Sequence, residues 1–241
     1  MLPVAILAGG LATRLRPLTD RVPKSLLPIA GRPFIFHQLE LLREQGVRRV
    51  VLCVGHLADR IQEAVGDGRS LGLSIEYSFD GAAPQGTGGA LRRALALLEP
   101  EFFVLYGDSY TPCSLTRIES AFTAAGLPAL MTVLRNQNRW DRSNVALRDG
   151  KLIEYRKEPA ARADLAYIDF GLSLVSRDVF LPYREGEAID LSAIWRDLSL
   201  RGQLAAFEVS ERFYEIGSPH GLRETDAHLS RLGASRPWST A

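Results

Sequence analysis

The sequence predicts an α/β protein built on an open, mainly parallel sheet with helices on both faces, followed by a β-rich second half. Short apolar runs alternate with amphipathic stretches through the first half of the chain. Two of those runs, Val4–Ala8 and Phe102–Tyr106, stop at glycines, as buried strands do where they open into loops. Strand–helix units repeated in this way favour parallel pairing with crossover helices.

Each element has its own signal. Val4–Ala8 reads as a buried strand ending at Gly9-Gly10. Pro33 opens a helix carrying Phe34, Ile35, Leu39, Leu41 and Leu42, because proline is tolerated in a first helical turn. Arg49–Val54 is a second strand, His56–Val65 a helix closed by Gly66, and Leu73–Phe79 an alternating third strand. Thr87–Leu98 is an Ala-rich helix, and Phe102–Tyr106 a fourth strand cut off by Gly107-Asp108. After Pro128 the texture changes: Ala129–Leu134, Val145–Leu147, Leu152–Tyr155 and Ile168–Ser176 read as strands. Helices return at Leu191–Leu200 and Leu222–Leu232, and residues 233–241 lack apolar periodicity and read as a loose tail.

Composition narrows the function. Twenty-nine basic side chains face 28 acidic ones, for a net charge of +1, so no global field selects nucleic acid or a membrane surface. The basic residues are locally crowded, with Arg14, Arg16, Arg21 and Lys24 opposed only by Asp20. Such a loop suits a small anionic ligand. Two isolated cysteines, Cys53 and Cys113, make neither a disulfide framework nor a zinc set. The strand-like run from Leu2 leaves no signal peptide, and no stretch approaches the ~20 apolar residues of a membrane span. The expectation is a soluble, cytoplasmic protein.

Leu7-Ala8-Gly9-Gly10-Leu11-Ala12-Thr13-Arg14-Leu15 follows the first strand directly. In open α/β sheets ligands bind beyond the carboxyl ends of the strands, and glycines there let main-chain N–H groups approach phosphate oxygens. The stretch matches neither the dinucleotide fingerprint nor the P-loop. Its continuation through Arg14, Pro17 and Pro23-Lys24-Ser25-Leu26-Leu27-Pro28 closely resembles the N-terminal signature of the sugar-1-phosphate nucleotidyltransferases. Further pieces support the resemblance: Pro84-Gln85-Gly86-Thr87-Gly88-Gly89, Tyr106-Gly107-Asp108, Trp140-Asp141-Arg142, Tyr155-Arg156-Lys157, Ile168-Asp169-Phe170-Gly171 and Phe213-Tyr214-Glu215-Ile216-Gly217. Within the family the chain looks nearest to the short heptose-1-phosphate guanylyltransferases.

The resemblance implies a Rossmann-like fold of the nucleotide-diphospho-sugar transferase type. It implies one domain over residues 1–232, with a nucleotide-binding half to about 127 and an acceptor-binding half after it. The acceptor phosphate would attack the α-phosphorus of a nucleoside triphosphate, releasing pyrophosphate, with Mg²⁺ as cofactor. Arg14 would stabilise the β- and γ-phosphates through its planar fork, and Lys24 would draw the α-phosphate and acceptor phosphate together. Asp108, just past the fourth strand, would hold Mg²⁺ with Glu215. As alternatives, Asp108 is a helix N-cap or turn residue, and Glu215 a strand-end carboxylate in a surface salt bridge. Leu7, Gly9, Gly10, Gln85, Gly86 and Thr87 would contact the nucleotide, and Thr87 could also cap its helix.

Departures from the family pattern fall near the acceptor. Asn144 stands where relatives often have glycine, Asp169 where they often have asparagine, and Tyr155-Arg156-Lys157-Glu158 reshuffles a usual Glu-Lys pair. Asn144, Lys157 and Asp169 are the candidate acceptor contacts, and a carboxylate at 169 could select different hydroxyls, an amine or a metal. Glu215 occupies a position that usually carries aspartate, and Ala12 replaces a common glycine. His37, His56, His220 and His228 show no metal-ligand spacing, and Ser25 and Ser109 lack a His/Asp set for serine hydrolysis. The preferred triphosphate is GTP and the partner a sugar 1-phosphate. Cytidylyl or uridylyl transfer to another phosphorylated acceptor is the alternative, and a catalytically silent nucleotide-sugar sensor is the non-enzyme one. Oligomeric state is not legible.

Overall fold

The continuous apolar runs of the first-half strands are what a sheet covered on both sides requires. The computed structural model describes residues 1–81, 83–157 and 164–235. Along the chain run β1 (Val4–Leu7), the short β2 (Pro28–Ile29) and β3 (Arg32–Pro33), α1 (Phe34–Glu44), β4 (Arg49–Val54), α2 (Ala58–Val65) and β5 (Ser74–Phe79). Next come α3 (Gly86–Ala94), β6 (Glu101–Tyr106), β7 (Ser109–Tyr110), α4 (Leu115–Ala125), β8 (Ala129–Arg135), β9 (Val145–Arg148), β10 (Lys151–Tyr155) and β11 (Tyr167–Ser176). Then follow α5 (Leu191–Leu200), β12 (Leu204–Val209), β13 (Tyr214–Glu215) and α6 (Pro219–Ser235).

Nine strands form one sheet in the order β10-β9-β11-β6-β1-β4-β5, with β8 pairing β11 and β12 pairing β8. The β6-β1-β4-β5 block is parallel, and β11 lies antiparallel to β6, β8 and β9. Val4, Ile6, Val50, Leu52, Phe103 and Leu105 face a core completed by Ile35 and Leu39 of α1, Ile61 of α2 and Ile118 of α4. Their neighbours Ala5, Val51, Cys53, Phe102 and Val104 face the other core, with Leu91 of α3 and Trp195 of α5. Successive side chains of a strand point to opposite faces, so continuous apolar runs are what a doubly covered sheet requires.

Apart from the two-residue strands β2, β3, β7 and β13, which the sequence analysis does not predict, two elements depart from the sequence expectation. Leu115–Ala125 is a helix, capped by Ser114, whose hydroxyl accepts from Arg117 N, and closed by Gly126 at φ +60°. Leu204–Val209 is a strand parallel to β8. At the C-terminus α6 runs on through Ser235, beyond the expected end at Leu232. Residues 236–241 of the expected tail, and Glu158 of the acceptor motif, lie outside the described residues. Among the described residues no helix is long and apolar enough to cross a membrane.

Candidate active site

A cleft of about 470 Å³ opens at the carboxyl ends of the parallel strands, lined by Leu7, Gly9, Gly10, Lys24, Gly86, Thr87 and Asp108 among others. The chain can turn so tightly here because of two glycines. A Cβ at Gly107 would sit 2.5 Å from Leu7 O, and one at Gly9 would sit 3.1 Å from Gly55 N. Ala12, at φ +48°, adopts the left-handed conformation that glycine takes most easily, which accounts for the usual residue there. Its carbonyl is held by Leu15 N at 3.0 Å and Thr19 Oγ1 at 3.0 Å.

At one end of the cleft the charged residues meet. Lys24 Nζ lies 2.6 Å from Asp108 Oδ2. The β7–β13 pair sets Glu215 opposite Ser109, and Ile216 N donates to Asp108 O at 2.9 Å, so the two candidate ligands stand on neighbouring, paired segments. A Cβ on Gly217 would lie 2.6 Å from Glu215 Oε2, 3.2 Å from Asp108 Oδ2 and 3.4 Å from an Arg14 guanidinium nitrogen. Both carboxylates and the guanidinium therefore reach the same side-chain-free spot. Glu215 accepts from Gly217 N and, at 2.7 Å, from Ser218 Oγ. Its extra methylene is accommodated by Gly221 of α6, whose Cβ would fall inside the Glu215 carboxylate.

This donor set fits a hard divalent cation in kind. Mg²⁺ takes one or two carboxylates and completes its shell with phosphate and water oxygens, and each bonded carboxylate oxygen here keeps a further lone pair. Among the described residues no cluster of three His, Cys, Asp or Glu side chains could serve instead.

Not every expected contact lines the cleft. Arg14 lines an adjoining cavity of about 330 Å³ with Trp140, Asp141, Arg212 and Glu215. Arg139 and Arg212 both lie over the Trp140 ring, their guanidinium carbons 5.0 and 5.3 Å from its centroid. Gln85 is buried, its amide nitrogen bonded to Asp80 O at 2.7 Å. Thr87 does not cap α3. Its hydroxyl donates to Asp190 Oδ1 at 3.1 Å and accepts from Leu191 N at 2.8 Å, tying α3 to the start of α5. Gly86 and Gly89 are required by the same contact, because a Cβ on either would come within 2.5 Å of the Ile189 or Glu187 carbonyl.

The acceptor candidates divide. Asn144 Oδ1 accepts from Asp169 N at 2.9 Å, and Asp169 Oδ1 accepts from Gly171 N at 2.9 Å, holding an irregular register in β11. Burial pushes the Asp169 carboxyl up to about 6. Its charge is felt by Tyr106, which lines the cleft. Lys157 instead pairs with Asp190, a residue the sequence had not singled out. Asp190 thus holds Thr87, Lys157 and Ser192 N together, and its position just before Leu191–Leu200 was a readable N-cap signal. Asp80, also missed, lines the cleft directly after β5.

The four histidines bind no common centre. His37 is buried against Ile29 O at 2.8 Å, and His228 stacks on Tyr214.

A glycine-lined cleft over parallel strand ends, with a lysine, an arginine and two carboxylates at one end, defines a protein built to handle nucleotide phosphates. The Nucleotidyl transferase family model matches residues 4–142, and the chain belongs to that family, among the sugar-1-phosphate nucleotidyltransferases. It is 28% identical over 214 residues to D-glycero-alpha-D-manno-heptose 1-phosphate guanylyltransferase of Campylobacter jejuni, covering 89% of this chain and 94% of that one. It is 31% identical over 201 residues to UTP--glucose-1-phosphate uridylyltransferase of Synechocystis, covering 77% of this chain and 52% of the relative, about half its length. Its fold superposes on the crystal structure of HddC from Yersinia pseudotuberculosis with a TM-score of 0.81 at 22% identity, over 95% of this chain and all of that one. The mainly parallel sheet with helices on both faces is the nucleotide-diphospho-sugar transferase fold.

Proposed function

We propose that the protein is a Mg²⁺-dependent enzyme that condenses GTP with a sugar 1-phosphate to give a nucleotide-sugar and pyrophosphate. The observation that carries this reading is the convergence of Lys24, Asp108, Glu215 and Arg14 around Gly217, at the end of a glycine-lined cleft. In the reaction an oxygen of the acceptor phosphate bonds to the α-phosphorus as the bond to the β-phosphate bridging oxygen breaks. That electron pair leaves with pyrophosphate.

Such a step needs positioning and charge neutralisation more than side-chain chemistry. Lys24, at the cleft end, would bridge the two phosphates that must approach. Arg14, at the mouth of the adjoining cavity, would meet the departing pyrophosphate with two parallel hydrogen bonds. Asp108 and Glu215 would hold the divalent ion, whose contribution is to neutralise developing charge on phosphate oxygens. Leu7, Gly9, Gly10, Gly86 and Thr87 line the nucleotide's course, and Gln85 supports the loop beneath it. Asn144, Asp169 and Lys157 form the acceptor side. The domain reading, a nucleotide half to about residue 127 and an acceptor half to 232, follows that division. Both cysteines are buried and unpaired, which suits a reducing cytoplasm.

Uridylyl transfer is the second reading, favoured by the Synechocystis relative. A screen of four nucleoside triphosphates against a panel of sugar 1-phosphates, followed by pyrophosphate release with and without Mg²⁺, tests both. The expected result is Mg²⁺-dependent release with GTP and one sugar phosphate. Tight nucleotide-sugar binding with no pyrophosphate across the panel would support a regulatory role instead.

A further inference from the structure

Strand β13 carries Glu215 but is only two residues long, and it pairs with β7 alone, outside the nine-stranded sheet. Two ladder pairs, Tyr214 with Tyr110 and Glu215 with Ser109, are a short mounting for a carboxylate that must meet a small cation. Mg²⁺ tolerates little departure from octahedral geometry at ~2.1 Å, so side chains must fix what the ladder leaves loose. Two of them come from α6. Thr225 Oγ1 donates to Glu215 O at 2.8 Å, and the Tyr214 ring stacks on His228 with centroids 3.8 Å apart.

Arg212 makes the contact that reaches furthest. Its guanidinium carbon lies 4.9 Å from the Tyr214 ring centroid and 5.3 Å from that of Trp140, and Nη2 pairs with Glu224 of α6. Three segments thus meet on one planar cation: β13, the first turns of α6, and the loop 136–144 between β8 and β9. Among the described residues its Nε has no hydrogen-bond partner, so the two rings and Glu224 set its plane. The side chain is only 27% exposed, which strengthens cation–ring contacts relative to open water.

The partners explain what the contact holds. Tyr214 precedes Glu215 directly, and Glu224 stands three residues after Gly221, on the same face of α6. Gly221 is the residue whose missing Cβ leaves room for the Glu215 carboxylate. Arg212 therefore ties the neighbour of that carboxylate to the helix turn that seats it. A lysine could still pair with Glu224, but a point charge has no plane to lay over two rings.

Resting on the divalent-ion reading of the cleft end, we propose that Arg212 is a positioning residue that holds Glu215 in place for the metal by clamping β13 to α6 and to the Trp140 loop. Electrostatics alone predicts the opposite effect on removal. Arg212→Met deletes a cation and leaves Glu224 uncompensated, which by charge would tighten binding of a nearby metal ion. The sign of the change therefore separates geometry from charge.

The test uses the full chain and Mn²⁺ as the probe, with free Mn²⁺ read by electron spin resonance. Pyrophosphate release is followed in parallel against Mg²⁺ concentration over the acceptor panel. Arg212→Met should weaken Mn²⁺ binding ~10-fold and raise the half-activating Mg²⁺ concentration by a similar factor, as loss of a group supporting a metal ligand does. GTP binding measured in EDTA should stay within about 2-fold, because Arg212 acts on the metal and not on the nucleotide. Arg212→Lys should recover part of the loss and serves alone should Arg212→Met fail to fold. Unchanged or tighter Mn²⁺ binding in a folded variant overturns the assignment, as does an equal loss of metal-free GTP binding. Wild type that neither binds Mn²⁺ nor responds to Mg²⁺ would remove the metal reading itself. Arg212-dependent Mn²⁺ binding without pyrophosphate from any acceptor would leave Arg212 standing and remove the transferase reading.

Discussion

Lys24 Nζ and Asp108 Oδ2 lie 2.6 Å apart although 84 residues separate them in the chain, so a cation and a carboxylate at one end of the cleft neutralise each other. On the proposed reading a triphosphate would enter between them, and Lys24 would then turn to phosphate and Asp108 to the metal.

Asp108→Asn keeps the shape and a hydrogen-bond acceptor for Lys24, but loses the charge that would hold a divalent ion. Stability should change little, since a partly exposed pair contributes at most about 1 kcal/mol. Pyrophosphate release should fall on the order of 100-fold or more. Thermal melts beside steady-state assays check this, and normal turnover in a folded variant would remove Asp108 from the reaction.

Gly221 tests the Glu215 geometry. Replacing a helical glycine by alanine ordinarily stabilises by about 1 kcal/mol. Here the new Cβ would fall inside the Glu215 carboxylate and 2.5 Å from its main-chain oxygen. Gly221→Ala should instead destabilise by roughly 1–3 kcal/mol and depress activity by displacing Glu215. Adding Glu215→Asp, one methylene shorter, should recover part of both losses. A double-mutant cycle with no coupling would show that Glu215 does not depend on that glycine.

Much of this architecture could be read in advance, for definite reasons. Arg49–Val54 and Phe102–Tyr106 were legible because a strand buried on both faces is a continuous apolar run. The α4 helix went unread although Leu115, Ile118 and Phe122 recur at helical spacing between Ser114 and Gly126, ordinary cap residues. Strand β12 offers a weaker signal, since Ala205, Ala206 and Phe207 are only half-buried. In the site, Gly9, Lys24 and Asp108 stand in one recognisable string or at a predicted strand end. Asp80 stands at a strand end too, and the argument used for Asp108 applied to it equally. What local sequence does not carry is pairing. Thr87 carries a helix-start signal but bonds Asp190, 103 residues away.

That contact yields a stability contrast. Asp190 caps α5 through Ser192 N, and asparagine caps nearly as well as aspartate. Asp190→Ala should cost about 1–2 kcal/mol in urea unfolding and Asp190→Asn only a few tenths. Both variants release Lys157, whose long side chain would, on the proposed reading, then be ordered by the acceptor itself, so acceptor KM should rise a few-fold. Triphosphate KM should move less. An acceptor KM identical to wild type in Asp190→Asn would show that Lys157 needs no anchor there.

Asp169 links stability to pH. Burial lifts its carboxyl from the ordinary value of 3.8 to about 6, with the Gly171 N–H only partly offsetting that cost. Because the folded-state pKa is the higher one, the folded protein binds the proton more tightly than the unfolded chain. Its contribution to stability is fully present below about pH 4 and is lost as pH rises through about 6. Asp169→Asn removes the titration while its amide oxygen still accepts from Gly171 N. The variant should therefore gain stability relative to wild type across that window and melt higher at pH 7. Melting temperatures of both proteins from pH 4 to 7 measure the difference, and a difference constant with pH would mean that the carboxyl titrates at its ordinary value.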